Sequence, residues 1–150
     1  MTNIKILKSL SILYAEDDLI IKDSISRILK MFFKNVLIAE DGNEALEIYQ
    51  NKKPHVVMLD YLMPNLDGYQ TAKIIREMNK KIPIVLVSAF TDKEKLLNAI
   101  ELNLIKYLEK PILYDDLVNV LNSVISSLEE NNLILSKLDE NSYYSFISKK

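Results

Sequence analysis

Five short, dense apolar runs alternate with segments of helical periodicity, and this alternation constrains the chain more than any other feature. The runs are SILYA at 11–15, VLIA at 36–39, VVML at 56–59, IVLVS at 84–88 and the weaker KYL at 106–108. Runs this short and this rich in Ile and Val read as strands covered on both faces, as in a parallel sheet. Between the first two, Ile21, Ile25, Ile28 and Phe32 recur at steps of four, three and four, which predicts one helical stripe over about 19–33. Ala45, Leu46 and Tyr49 mark a shorter helix near 43–52. Ala72, Ile75 and Met78 mark a third, Leu96, Leu97 and Ile100 a fourth, and Leu117, Leu121, Val124 and Ile125 a fifth. Strict alternation of strand and helix implies parallel βαβ units with right-handed crossovers, a doubly wound α/β fold.

The punctuation agrees. Asp41-Gly42 and Asp67-Gly68 each precede a predicted helix and hold the two glycines of the chain. Thr91 or Asp92 is suited to cap the fourth helix, and Tyr114-Asp115 the fifth. Asn103 stands where a left-handed residue would end the fourth. At 150 residues the chain suits one domain with an appendage. We expect a domain over 1–128 and a C-terminal extension over 129–150, as a helical continuation, a linker or a frayed tail. Val118, Leu121, Ile125, Leu128, Asn132 and Leu135 are spaced as a heptad seam. The seam reads either as a fifth helix that runs long and frays, or as a helix that pairs with a second copy, Asn132 setting the register.

Composition removes several classes of chemistry. Lys and Arg number 19 against 21 Asp and Glu, a net charge of −2, which gives no concentrated basic face for nucleic acid. The absence of Cys excludes thiol nucleophiles, disulfides and Cys-ligated zinc together. The single His, His55, cannot build a multi-His metal site and reads as strand-edge surface. No stretch approaches the roughly 18 uninterrupted apolar residues of a membrane span, so a cytoplasmic location is expected, with no membrane partner.

In an open parallel sheet, ligands bind beyond the carboxyl ends of the strands. Glu16-Asp17-Asp18 follow the first apolar run, Asp60 the third, Ser88 ends the fourth, and Lys110-Pro111 follow the fifth. Each has an ordinary explanation taken singly: an acidic cluster caps a helix, an Asp makes a turn, a Ser caps, a Lys is solvated. Together they would gather at one edge of one sheet. Glu16, Asp17 and Asp60 carry −3, and carboxylates that close do not all ionise unaided. A divalent cation with the Lys110 ammonium restores neutrality, and an all-oxygen donor set suits Mg2+, with Mn2+ able to substitute. The candidate nucleophile is then a carboxylate, which forms acyl phosphates.

ILYAEDD (12–18), DYLMPNLDG (60–68), VSAF (87–90) and YLEKP (107–111) resemble the receiver domains of two-component response regulators, in order and spacing, over about residues 10–128. The resemblance implies a flavodoxin-like (βα)5 sheet in the order 2-1-3-4-5. It implies that Asp60 is the phosphoacceptor and takes its phosphoryl group from a sensor histidine kinase or a histidine phosphotransfer protein. Asp17 would ligate Mg2+ directly, Glu16 through a water, and the backbone C=O of Leu62 would complete the protein ligands. Lys110, before a cis bond to Pro111, would pair with a phosphoryl oxygen, and Ser88 would donate to it. Tyr107 would turn inward as Ser88 moves. The signalling surface, also a possible homodimer surface along with the C-terminal helix, would be the fourth helix, fifth strand and fifth helix, about 92–125. The next step would be a protein target or a further output domain, without direct contact to nucleic acid.

Some positions depart from the commonest pattern of that family. Glu16 replaces an Asp, Ser88 a Thr, His55 an acidic residue, and Asn103-Leu104 a Gly-Ala pair. Leu62 and Phe90 stand two residues beyond Asp60 and Ser88, positions that the resemblance implies would flank the phosphoryl group. Both are bulky and apolar and unable to orient a water, so a long-lived aspartyl phosphate is expected. Two other readings stand beside the switch: a degenerate or stand-alone interaction module, and a metal-dependent phosphatase with an aspartyl nucleophile. Leu62 weighs against the phosphatase, because it fills the place where haloacid dehalogenase-like enzymes need an acid. On this reading the chain is a switch that supports its own phosphoryl transfer, and not a metabolic enzyme.

Overall fold

Each of the five apolar runs forms a strand in the computed structural model, which describes residues 4–89 and 106–133. The strands are β1 (Ser11–Ala15), β2 (Asn35–Ala39), β3 (Val56–Asp60), β4 (Ile84–Ser88) and β5 (Lys106–Glu109). All pair in parallel, in the order β2-β1-β3-β4-β5. This is the flavodoxin-like arrangement that the sequence resemblance implied. β3 and β4 are central and buried along their whole length, whereas the edge strand β2 is buried at Ala39 alone.

The helices are α1 (Leu19–Phe32), α2 (Gly42–Lys52), α3 (Gly68–Met78) and α4 (Tyr114–Glu130). Alternation along the strands divides the core into two layers. Ile12, Tyr14, Met58, Val85 and Val87 pack with α1 and α4 through Ile25, Leu29, Leu117, Leu121 and Ile125. Leu13, Ala15, Val57, Leu59 and Leu86 pack on the other face with Ala45, Ala72 and Ile75 of α2 and α3. Met78, placed by its spacing in the third stripe, is exposed at the end of α3. A 3-10 turn at Ile4–Ser9, which the sequence reading did not find, inserts Leu7 into the first layer.

The caps explain where α1, α2 and α3 begin. Asp18 accepts from the backbone N–H groups of Ile20 and Ile21, Asp41 from Glu44, and Asp67 from Gln70. Gln70 returns the bond by accepting from the Asp67 N–H, which completes a capping box. The expected cap of α4 is corrected. Its N-cap is Leu113, with no side-chain bond, and Asp115 and Asp116 lie inside the first turn, where they act on the helix dipole instead.

The end of α4 bears on the heptad seam. Asn132 is left-handed (φ 57), Leu133 N–H donates to Leu128 O at 2.9 Å and Asn132 N–H to Glu129 O at 3.1 Å. This pattern stops a helix, so α4 ends at Glu130 and Asn132 does not continue it. Leu121, Ile125 and Leu128 are buried against the chain's own sheet, which leaves those seam positions no side chain for a second copy. The predicted fourth helix with Thr91, Asp92 and Asn103, as well as Leu135 and the rest of the extension, lie outside the described residues.

Candidate functional site

The sheet order brings the ends of β1, β3, β4 and β5 together. Glu16 follows β1 and is fixed by its N–H, which donates to Ala39 O at 3.0 Å. Asp60 is the last residue of β3, and the next N–H, of Tyr61, donates to Val87 O at 2.7 Å. Lys110 follows β5, tied by its N–H to Ser88 O at 2.9 Å, and the Lys110–Pro111 peptide is cis. The backbone ladder thus delivers Glu16, Asp60 and Lys110 to one edge.

Their side chains converge. Glu16 and Asp60 are buried and Asp17 is exposed, and one carboxylate oxygen from each lies within 4.8 Å of the others. Lys110 Nζ stands 2.9 Å from Asp60 Oδ1 and 3.3 Å from Glu16 Oε1. The second contact is an ion pair by distance without hydrogen-bond alignment, so buried Glu16 Oε1 has no aligned donor. Glu16 Oε2 accepts from the Asp18 N–H at 3.2 Å.

The electrostatics follow from burial. Desolvation, joined by the adjacent Asp60, pushes the Glu16 carboxyl up to about 7. Burial alone would depress the Lys110 ammonium. The hydrogen bond to Asp60 and the charges of Asp60 and Glu16 outweigh it and hold Lys110 above the ordinary lysine value. Two buried carboxylates beside one ammonium remain short of positive charge. A hard dication fits this donor set, because all the donors are oxygens, one is exposed to exchange waters, and Glu16 Oε1 lacks a partner.

Ser88, Tyr107 and Leu62 lie on the strands and the loop that lead into or out of this edge. Ser88 is buried at the end of β4, with Oγ 3.3 Å from Ala89 O. Tyr107 on β5 is half-buried, and its hydroxyl donates to the carbonyls of Ser88 and Ala89 at 3.3 and 3.4 Å. The aromatic ring is therefore already tied to the segment that leaves β4. Leu62 is exposed in the loop after Asp60. Phe90 lies outside the described residues.

Several contributors escaped the sequence reading. Gly68 N–H donates to Tyr61 O at 2.8 Å and closes the loop after Asp60. Lys22 on α1 pairs with Glu40 beyond β2 at 3.1 Å, bracing the opening of α1. His55, read as surface, is exposed, yet its Nδ1 accepts from Ser11 N–H at 3.0 Å between the starts of β1 and β3. Pairing across such distances in sequence has no local signal.

Residues 12–122 match the response regulator receiver domain model, and the chain belongs to that family. A probable transcriptional regulator ycf27 of Cyanophora paradoxa is 33% identical over 122 residues, covering 81% of this chain and 51% of the relative. The response regulator MprA of a Mycobacterium species (strain KMS) is 31% identical over 107 residues, covering 71% of this chain and 46% of the relative. The chain thus spans about half the length of these curated relatives. Among solved structures, a response regulator receiver domain protein from Clostridium thermocellum superposes with a TM-score of 0.75 at 25% identity. That match covers 83% of this chain and 99% of the other. Among the described residues, no helix is long and apolar enough to cross a membrane.

Proposed function

We propose that this receiver is a phosphorylation switch in which Asp60 accepts a phosphoryl group from a phosphohistidine of a sensor histidine kinase or histidine phosphotransfer protein, with Mg2+ required. The observation that carries the reading is the buried Asp60 carboxylate, with Lys110 Nζ at 2.9 Å and the Glu16 and Asp17 donors beside it. An Asp60 oxygen bonds to phosphorus as the donor's N–P bond breaks. The electron pair leaves on the imidazole nitrogen, and an acyl phosphate remains. Lys110 neutralises a phosphoryl oxygen, and Ser88 donates its hydroxyl to another. Asp17, Glu16 and the backbone carbonyl of Leu62 would hold the cation beside Asp60. The bound cation supplies charge neutralisation of the phosphoryl oxygens. Catalysis on this scheme is positioning and electrostatics.

The donor's approach has an apolar rim. Leu19 and Ile20 at the start of α1 are 70% and 82% exposed. Beside them Ile20, Ile21, Ile25, Pro111 and Ile112 line a groove of about 480 Å3 that reaches Lys110. An exposed apolar rim around a charged centre suits a protein donor better than a small metabolite.

Phosphorylation replaces a carboxylate of −1 by a group of about −2 with new acceptor oxygens. Ser88 moves toward them, and Tyr107, already bonded to the Ser88 and Ala89 carbonyls, follows. The surface around Tyr107 and α4 then changes for a protein target, a second copy or an output domain. The test is acetyl phosphate with and without Mg2+, read by intact mass. One added phosphoryl group is expected with Mg2+, and none in Asp60→Ala. An adduct that survives in Asp60→Ala would overturn the assignment.

A further inference from the structure

Tyr14 is the largest wholly buried side chain among the described residues, and its hydroxyl has no hydrogen-bond partner. A phenylalanine would fill the same space without stranding a polar atom. Buried polar groups are nearly always paired, directly or through water, so an orphan of this kind points to a partner.

A complementary acceptor lies two residues on, just past the end of β1. Tyr14 and Glu16 point to one face of the chain, about 6.6 Å apart at the backbone. The phenol offers one donor, and an ionised carboxylate only accepts. Buried Glu16 Oε1 faces the Lys110 ammonium at 3.3 Å but accepts no hydrogen bond, whereas Oε2 is already held by the Asp18 N–H. A phenol keeps its proton at neutral pH and serves as the donor.

We propose that Tyr14 is a positioning residue for the cation site, its hydroxyl donating through one buried water to Glu16 Oε1 and so fixing the plane of that carboxylate. This rests on the assignment of Glu16, Asp17 and Asp60 to a divalent cation. A glutamate reaches its ligand through three torsions. Anchoring Oε2 at Asp18 leaves it free to swing, and a second anchor from inside the core removes that freedom. Lys110 alone does not supply it, because its approach to Oε1 is unaligned.

The test is a double-mutant cycle on Mg2+ affinity, measured by calorimetry on the full chain, with thermal midpoints recorded without cation. Tyr14→Phe is expected to weaken Mg2+ binding about tenfold in the presence of Glu16. In the Glu16→Ala background the same substitution is expected to change affinity by less than about twofold, because the group through which Tyr14 acts is gone. An equal loss in both backgrounds would mean that Tyr14 is only core packing, and the proposal would fall. It would also fall if Tyr14→Phe bound Mg2+ like the parent protein. Failure of the parent chain to bind Mg2+ or Mn2+ would instead remove the cation assignment itself, a distinguishable result.

Discussion

Gly68 sits against the backbone of Asp60: a side-chain carbon on its Cα would lie 2.9 Å from the Asp60 carbonyl carbon and 2.9 Å from Tyr61 Cα. Its φ is not positive, so the glycine is required by space and not by backbone conformation. Because the obstructing atoms are backbone, they cannot swing aside. Gly68→Ala is expected to cost about 1–3 kcal/mol in denaturant unfolding and to shift Asp60. Phosphorylation by acetyl phosphate should fall further than the stability loss accounts for.

Lys110→Met leaves two buried carboxylates without their ammonium. Removing one partner of a buried pair strands the other charge, so the cation-free protein should lose roughly 2–3 kcal/mol. Millimolar Mg2+ should restore part of that loss, because it supplies positive charge at the same place, while phosphorylation stays impaired. Urea melts with and without Mg2+ measure both.

The Glu16 carboxyl, raised to about 7, sets a pH dependence with a definite sign. In the cation-free protein its ionisation opposes folding. The stability it allows is present below the unfolded value of about 4.5 and is lost as pH rises through 7. Cation binding runs the other way, since a proton competes for the carboxylate. Mg2+ affinity should rise up to about tenfold per pH unit approaching 7 and level off above it. Glu16→Gln should flatten that slope in a pH series of calorimetric titrations.

His55 accepts a hydrogen bond from Ser11 N–H through Nδ1, which requires an unprotonated nitrogen, and partial desolvation of the ring lowers its pKa from the usual 6.5. For a depressed histidine, the stabilising contribution is complete above 6.5 and is lost as pH falls through the folded value. Imidazole proton NMR should show a midpoint below 6.5. His55→Ala should remove this part of the acid sensitivity and leave phosphorylation unchanged, since the ring lies at the opposite end of the strands from Asp60.

Leu62 is 56% exposed beside Asp60 and offers an attacking water no hydrogen bond. The aspartyl phosphate should therefore outlive seconds after excess phosphodonor is removed. Leu62→Gln, which can orient a water, should speed its loss about tenfold or more. Release of inorganic phosphate over time measures this, and loss within seconds from the parent chain would defeat the expectation.

The strands were legible because a buried parallel strand must be apolar on both faces, and the runs at 11–15 and 84–88 coincide with β1 and β4. The strand-end carboxylates were legible for a related reason: each has a local explanation singly, but parallel strands bring them all to one edge. Asp18 shows the limit, since one acidic triplet serves two ends. Asp18 caps α1, while Glu16 and Asp17 face the site. Which of three adjacent acids does which is a matter of side-chain direction, and periodicity does not record it.

By itself the sequence determined the α/β alternation, the strand limits to within a residue or so and the set of groups gathered at the strand ends, because these follow from the local alternation of apolar and polar residues. Tertiary structure alone decided that Lys110 lies between Asp60 and Glu16, that Gly68 is needed for its missing side chain, and that Tyr14 carries a stranded hydroxyl. Each of these depends on distances between residues far apart in the chain, or on the direction of one side chain in a filled core. Packing fixes both only when all the elements are in place.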